Sequence, residues 1–312
     1  MTFTRRLVLV GASAILVFTV PVDGAVAGEL EHVLEEANGS TYTATRLVVS
    51  MWGGQTQISR EFVERANGME MVRRDTDWSM AGNGKAASMG DKPTGVTFLT
   101  DAHGEESNRY TVVERSKVNH MSRPSQIIEV MEGDILRASL VVDDRSGALL
   151  IQELYNESGD MYRRTTLSDF RAYRTYEAPM DESDVPMEIV MHEDSELVPD
   201  DAAGYRLVDA FNGPGGSEHG YFTDGLFRFS LFVLDGRTVV TGFENSMVFL
   251  TESGLYDMVA TPQAVRVHWS DGSSEYVLFG DIPPDHLRDV LAELPAPRSG
   301  GMWARWWQRL FG

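Results

Sequence analysis

The histidines are the first residues to test for chemistry. His32, His103, His120, His192, His219, His268 and His286 are scattered along the chain, and none stands in an H-E-x-x-H or other metal-ligand spacing. Gly215-Gly216-Ser217-Glu218-His219 brings a hydroxyl close to an imidazole. A nucleophile elbow needs G-x-S-x-G between a strand and a helix, and this segment reads as a loop. Gly82-Asn83-Gly84-Lys85 lacks the glycine spacing of a phosphate loop, and no strand leads into it. Asp224-Gly225 and Asp271-Gly272 read as turns rather than as calcium loops. Asp143-Asp144 is one carboxylate pair among many in an acidic chain. No cysteine is present, which excludes disulfides, thiolate zinc sites and cysteine nucleophiles. The expectation is a protein that is not an enzyme and carries no cofactor and no metal. An unrecognised hydrolase is the enzymatic reading that remains.

The 312 residues include 27 Lys and Arg against 47 Asp and Glu, a net charge of −20. So acidic a surface argues against nucleic acid, because phosphate binding needs clustered cations to displace counterions. The length allows one large domain or two smaller ones, each with a core. Residues 1–27 have the layout of a secretory signal peptide: the basic pair Arg5-Arg6, an apolar run to Val22, then Ala25-Val26-Ala27 as a cleavage signal. The run is shorter than the roughly 20 residues of a spanning helix. The expected location is periplasmic or otherwise extracytoplasmic, with cleavage after Ala27.

The elements follow from periodicity and turn chemistry. Residues 29–37 read as a short helix with Leu30, Val33 and Leu34 on one face, stopped by Asn38-Gly39. Turn signals then recur at Gly53-Gly54, Asn67-Gly68, Gly82-Asn83-Gly84, Asp144-Arg145-Ser146-Gly147 and Asn156-Glu157-Ser158-Gly159. Between them, 42–51, 55–65, 69–74, 96–99, 135–142, 148–155 and 162–170 read as strands of an antiparallel meander. Residues 75–93, poor in large apolar side chains, read as a mobile loop. Residues 28–176 thus form a first domain and 177–198, rich in acids and broken by Pro179 and Pro186, a linker. The second domain, 199–294, holds strands at 226–234, 246–250, 264–269 and 275–279, a hairpin turn at Ser270-Asp271-Gly272-Ser273, and a helix opened by Pro283-Pro284. Leu149 and Ile151 face one way and Leu150 and Leu154 the other, so this strand is apolar on both faces. With Leu140, these are the candidate lipid-pocket residues only through what the family resemblance set out below implies. The 15 methionines, Met51, Met131 and Met161 among them, would suit a pocket for flexible chains.

Residues 295–312 form a spacer and a tail. Met302, Trp303, Trp306, Trp307, Leu310 and Phe311 share one helical face, with Arg305, Gln308 and Arg309 opposite. Trp303, Trp306, Trp307, Leu310 and Phe311 are candidate membrane contacts, because tryptophan favours the membrane interface and arginine meets anionic head groups. Docking on the protein itself or in a partner groove is the alternative.

Several segments carry a resemblance. Ser122-Arg123-Pro124 precedes a strand, Asp143 to Leu150 includes Ser146-Gly147, Thr223-Asp224-Gly225-Leu226 leads to Ser230-Leu231-Phe232, and Gly280-Asp281-Ile282-Pro283 precedes a helix. In their order and spacing they resemble the MucB/RseB family of extracytoplasmic sigma-factor regulators, over about residues 42–294. Ser122 departs from the glycine that the family favours before Arg-Pro. The resemblance implies an α+β, mostly antiparallel fold. Its first domain would be an unclosed half-barrel over helices like the carriers LolA and LolB, and its second a smaller β-sheet domain with a helix. It also implies a partner, the extracytoplasmic domain of a single-span anti-sigma factor, shielded from proteolysis until a lipid signal releases it. Thr223, Asp224, Gly225, Leu226, Ser230 and Phe232 are then the candidate partner-binding residues. The alternative is a lipid or lipoprotein carrier of the LolA/LolB type.

Overall fold

The computed structural model describes residues 29–66, 69–74, 96–98, 109–173, 197–213 and 216–298. The signal sequence, the 75–93 loop, nearly all of the acidic linker and the tryptophan-rich tail lie outside the described residues.

Helix α1 (Glu29–Gly39) leads into nine antiparallel strands: β1 (Tyr42–Trp52), β2 (Gln55–Ala66), β3 (Met69–Arg74), β4 (Val96–Phe98), β5 (Thr111–His120), β6 (Arg123–Glu132), β7 (Ile135–Asp143), β8 (Leu149–Tyr155) and β9 (Met161–Ala172). They form one open sheet in the order β4-β3-β2-β1-β9-β8-β7-β6-β5. A second sheet holds β10 (Asp201–Ala202), β11 (Tyr205–Asn212), β12 (Glu218–Thr223), β13 (Arg228–Asp235), β14 (Met247–Thr251), β15 (Gly254–Ala260), β16 (Val265–Ser270) and β17 (Ser274–Asp281), in the order β10-β11-β12-β13-β17-β16-β15-β14, and α2 (Pro284–Glu293) follows. The fold is mostly antiparallel β with two helices and no closed barrel among the described residues.

Two strands, β5 and β6, lie in a stretch that the sequence pattern leaves unassigned, and two long-range pairings were not legible. Strand β1 closes on β9, and β13 closes on β17. The first joins the first and last strands of its sheet's sequence and the second joins its fourth strand to its last, so neither sheet is a simple meander.

Turn chemistry sets the registers. The β1–β2 hairpin pairs Trp52 with Gln55 across Gly53 and Gly54, at φ 55° and 75°. A two-residue turn of that hand matches strand twist and favours glycine. The β5–β6 hairpin has the same two-residue length, His120 pairing with Arg123, but its central residues are Met121 and Ser122 at φ 49° and 60°. Side chains there crowd the backbone. Met121 and Ser122 thus hold a left-handed turn at a cost that glycine would avoid.

One apolar cluster runs through both sheets. From the first come Trp52, Tyr110, Val112, Ile128, Val130, Leu140, Leu154 and Tyr162; from the second, Phe222, Phe229, Leu231, Tyr256, Trp269 and Leu278, with Leu287, Val290 and Leu291 of α2. A smaller cluster behind the first sheet holds Tyr42, Ala44, Val63, Ala148, Leu150 and Leu167. Gly280 is required by close approach: a Cβ there would stand 2.5 Å from the Phe229 Cβ on the paired strand. Trp269 Nε1 donates to Pro295 O at 2.7 Å, fixing the chain after α2.

Replacing Ser122 with glycine should stabilise the fold by about 0.5–1 kcal/mol, the left-handed penalty removed less the entropy that glycine adds. Urea unfolding should show a higher midpoint at unchanged slope. A midpoint equal to or below that of the wild type would refute the strain argument.

Candidate functional site

The two sheets meet over a cluster of buried ions. Arg109, just before β5, donates from Nε to Glu132 Oε1 at 2.6 Å, from Nη1 to Ala203 O at 3.1 Å and from Nη2 to His286 Nε2 at 2.9 Å. Arg137 on β7 donates to Glu132 Oε2 at 2.6 Å and pairs with Asp285 Oδ2 at 2.7 Å. Tyr110 Oη donates to Asp224 Oδ2 at 2.6 Å. Arg163 on β9 pairs with Asp281 at the end of β17. Arg109, Tyr110, Glu132, Arg137 and Arg163 come from the first sheet; Asp224, Asp281, Asp285 and His286 come from the second sheet and α2.

Local sequence places each of these groups. Asp224 sits between β12 and β13. Its Oδ1 accepts from Leu226 N at 3.0 Å and Phe227 N at 2.8 Å, an Asx turn that needs Gly225 at φ 95°. The turn aims the other carboxylate oxygen at Tyr110. Pro283 and Pro284 start α2 with Asp285 in its first turn, and the apolar positions Leu287, Val290 and Leu291 press the helix on the core. His286 shares that face through its i+4 neighbour Val290 and is buried with it. His286 Nε2 lies between Arg109 Nη2 at 2.9 Å, which can only donate, and Glu132 Oε2 at 3.1 Å, which as a carboxylate can only accept, and its Nδ1 lies 2.8 Å from Tyr205 Oη. Burial holds the His286 pKa below its usual value, and the Arg109 and Arg137 charges add to this. Glu132 is held below the usual carboxylate range: burial opposes this, but the bonds and charges of Arg109 and Arg137 outweigh it.

Beside the ion cluster lies a cleft of about 670 Å³ between the sheets. The first sheet supplies Met51, Trp52 and Gly53 from the β1–β2 hairpin, and Asn156, Asp160, Met161 and Tyr162 from the β8–β9 hairpin. The second supplies Met247, Val248 and Phe249 of β14, Met258 of β15 and Pro284 of α2. The lining is mostly apolar, with four methionines. Trp52 and Tyr162 are buried with rings edge to face at 6.0 Å, and neither Trp52 Nε1 nor Tyr162 Oη has a hydrogen-bond partner.

The candidate partner-binding residues divide. Asp224 is 3% exposed and turned into the junction. Thr223 donates to Phe227 O at 2.9 Å, Gly225 is exposed, and Leu226 packs partly on the core. Ser230 and Phe232 alternate with buried Phe229, Leu231 and Val233, so they face outward on the opposite side of the sheet, where Phe232 stacks on His219 at 4.2 Å. Of the candidate lipid-pocket residues, Leu140, Leu150 and Leu154 are fully buried in the two clusters, and Leu149 and Ile151 are partly exposed. None of the five lines the cleft. Trp303, Trp306, Trp307, Leu310 and Phe311 lie outside the described residues. His219 is sandwiched between Phe211 and Phe232, so the sequence neighbour of Ser217 is part of an aromatic stack. Among the described residues, no three His, Asp or Glu side chains are grouped to hold a metal ion.

Sequence reasoning missed Arg109, Glu132, Arg137, Trp52 and Tyr162. For His286 a signal existed, since a histidine on the apolar stripe of a short helix is a buried one. For the arginines none did, because Asp224, Asp285 and His286, which they meet across the junction, lie far along the chain in the second sheet and α2.

No family model and no curated protein matches this chain. Among solved structures it is similar to MucB in complex with MucA(peri), at 18% identity over 88% of this chain and 100% of that one, with a TM-score of 0.46. It is also similar to the Pseudomonas aeruginosa MucA/MucB complex, at 17% identity over 87% of this chain and 99% of that one, TM-score 0.44. A LolA superfamily protein from Nitrosomonas europaea shares 10% identity over 85% of this chain and 98% of its own, TM-score 0.19.

The buried histidines set a pH dependence. His286 and His219 both have pKa values lowered from 6.5 by burial, so the unfolded chain takes up their protons first as pH falls. Their contribution to stability is complete above about pH 6.5 and declines as pH falls toward the folded pKa values. Denaturation between pH 7.5 and 5 should show stability falling, and His286→Gln should flatten that slope. An identical slope in the variant would show that His286 is not the titrating group.

Proposed function

We propose that the mature protein is an extracytoplasmic, non-enzymatic regulator that binds the extracytoplasmic domain of a single-span anti-sigma factor, shields it from proteolysis and releases it on a lipid signal. The observation that carries this reading is where the family-like residues meet. Asp224 of Thr223-Asp224-Gly225-Leu226 and Asp281 of Gly280-Asp281-Ile282-Pro283 each bind a side chain of the first sheet at one junction. The segments that resemble the regulators are therefore those that join the two sheets, and a partner laid along the junction would touch both. The MucB structures named above are complexes with MucA, and the proposal gives this chain a partner of that kind. In it, the first sheet is the half-barrel domain, 28–176, and the second is the smaller domain, 199–294. Gly225 and Leu226 form one part of the contact at the rim of the junction; Ser230 and Phe232 form a second on the outer face.

The apolar cleft favours a second reading, a carrier of lipids or lipoproteins. One capture experiment separates the two. The mature protein, immobilised and exposed to detergent-solubilised envelope membranes, should retain one single-span anti-sigma factor. Leu226→Asp should cut that capture at least tenfold, because a buried unpaired carboxylate is costly at an apolar contact. Retention of bulk lipoproteins without an anti-sigma factor would replace regulation with carriage.

The tail is proposed as a weak membrane contact through Trp303, Trp306, Trp307, Leu310 and Phe311. One short amphipathic helix gives reversible attachment, which suits a regulator whose partner is already in the membrane. Mature protein should float with anionic liposomes, and protein lacking residues 302–312 should not. Equal flotation of both removes the tail from the proposal.

A further inference from the structure

We propose that the cleft between the two sheets holds a single acyl chain whose first polar group is a neutral carbonyl, an ester or an amide, accepting hydrogen bonds from Trp52 Nε1 and Tyr162 Oη. The inference rests on the lipid arm of the regulatory reading and assigns it a place and a head-group chemistry.

Three observations carry it. First, two of the residues that line the cleft, Trp52 and Tyr162, are only 4% and 2% exposed, and their buried donors, Trp52 Nε1 and Tyr162 Oη, have no hydrogen-bond partner among the described residues. A buried donor left unpaired costs about 1–3 kcal/mol, so an acceptor brought to this place binds against groups already stripped of water. Tyr162 stays a donor, because burial first, and the nearby Asp281 charge second, drive its pKa well above 10.0. Second, the walls fit a flexible chain. Met51, Met161, Met247 and Met258 converge from both sheets, and Met247 and Met258 are directly paired across β14 and β15. Unbranched thioethers adapt to a linear apolar ligand of variable length, and about 670 Å³ lies within the usual range for small-molecule sites. Third, among the described residues the only charged one in the lining is Asp160, and it is exposed at the β8–β9 turn. A carboxylate or phosphate head placed there meets like charge, whereas a neutral carbonyl meets two donors.

A ligand in this cleft touches both sheets. It lies beside Pro284, and the next two residues, Asp285 and His286, enter the ion cluster. The site is thus placed to alter the junction that the proposed partner would cross.

The test uses monolaurin, a neutral acyl ester, and laurate, its charged counterpart, with the full mature protein, read by native mass spectrometry and equilibrium dialysis. Monolaurin should bind one to one and more tightly than laurate. Tyr162→Phe, which removes only the unpaired hydroxyl, should unfold at the wild-type midpoint or above it and bind monolaurin roughly three- to tenfold more weakly. Met161→Trp, which fills the cleft, should abolish binding. Wild-type protein that binds no monolaurin, or Tyr162→Phe protein that binds it as tightly as wild type, overturns the inference. Protein that captures an anti-sigma factor but binds no monolaurin sinks this inference alone. Protein that binds monolaurin in a Tyr162-dependent way but captures no anti-sigma factor sinks the regulatory reading instead.

Discussion

Charges taken out of water must be paired, and at this junction the set closes only with both sheets present. Glu132 pairs with Arg109 and Arg137 of its own sheet, whereas Arg137 also pairs with Asp285, and Asp224 pairs with Arg109 and accepts from Tyr110, across the junction. Removing one member of such a buried pair costs about 3–5 kcal/mol. Apolar contacts alone would let the sheets slide, since they are non-directional. The ions do not allow that, because each fixes a distance and an angle. The relative placement of the sheets, and with it every surface formed between them, depends on this cluster.

The cleft and the cluster use the same elements, offset by one residue. On β9, Tyr162 lines the cleft and Arg163 pairs with Asp281; on α2, Pro284 lines the cleft and Asp285 pairs with Arg137. Other contacts hold the sheets elsewhere. Gln263 Nε2 reaches Ser59 Oγ and Glu61 Oε1, both at 2.6 Å, and Arg288 reaches Glu157 at 2.7 Å. Glu61 in turn accepts from Arg46 at 2.7 Å. The cleft is therefore bounded by polar contacts and filled at its walls by adaptable methionine, an arrangement that permits local change without separation of the sheets.

Strands with alternating side chains or strong turn residues were legible. Strand β16 buries every second residue, and β7 does so from Ala138 to Val142, with the ends of both within a residue or two of the pattern. Strands β5 and β6 were not legible, because Glu114, Lys117 and Asn119 dilute the apolar signal, and Val112, Ile128 and Val130 become a recognisable face only once β5, β6 and β7 pair. At the candidate site, Asp224-Gly225 was read correctly as a turn. That its carboxylate would point inward, while Ser230 and Phe232 point outward, depends on the pleat of β13. The methionine cleft was foreshadowed by Met51 and Met161, but their neighbours Met247 and Met258 come from the other sheet.

By itself the sequence determined local matters: the hairpins with strong turn residues, the two short amphipathic helices, the absence of cysteine chemistry and the acidity that disfavours nucleic acid. These depend on residues close along the chain, where spacing and dihedral preference suffice. The tertiary structure alone decided the closures β1–β9 and β13–β17, the ion cluster, the cleft and the two unpartnered donors in it. They join groups far apart along the chain, Arg109 and His286 being separated by 177 positions. No periodicity encodes such a pairing. It exists because desolvated charge and apolar surface from two sheets find their complements only when both sheets are formed and packed.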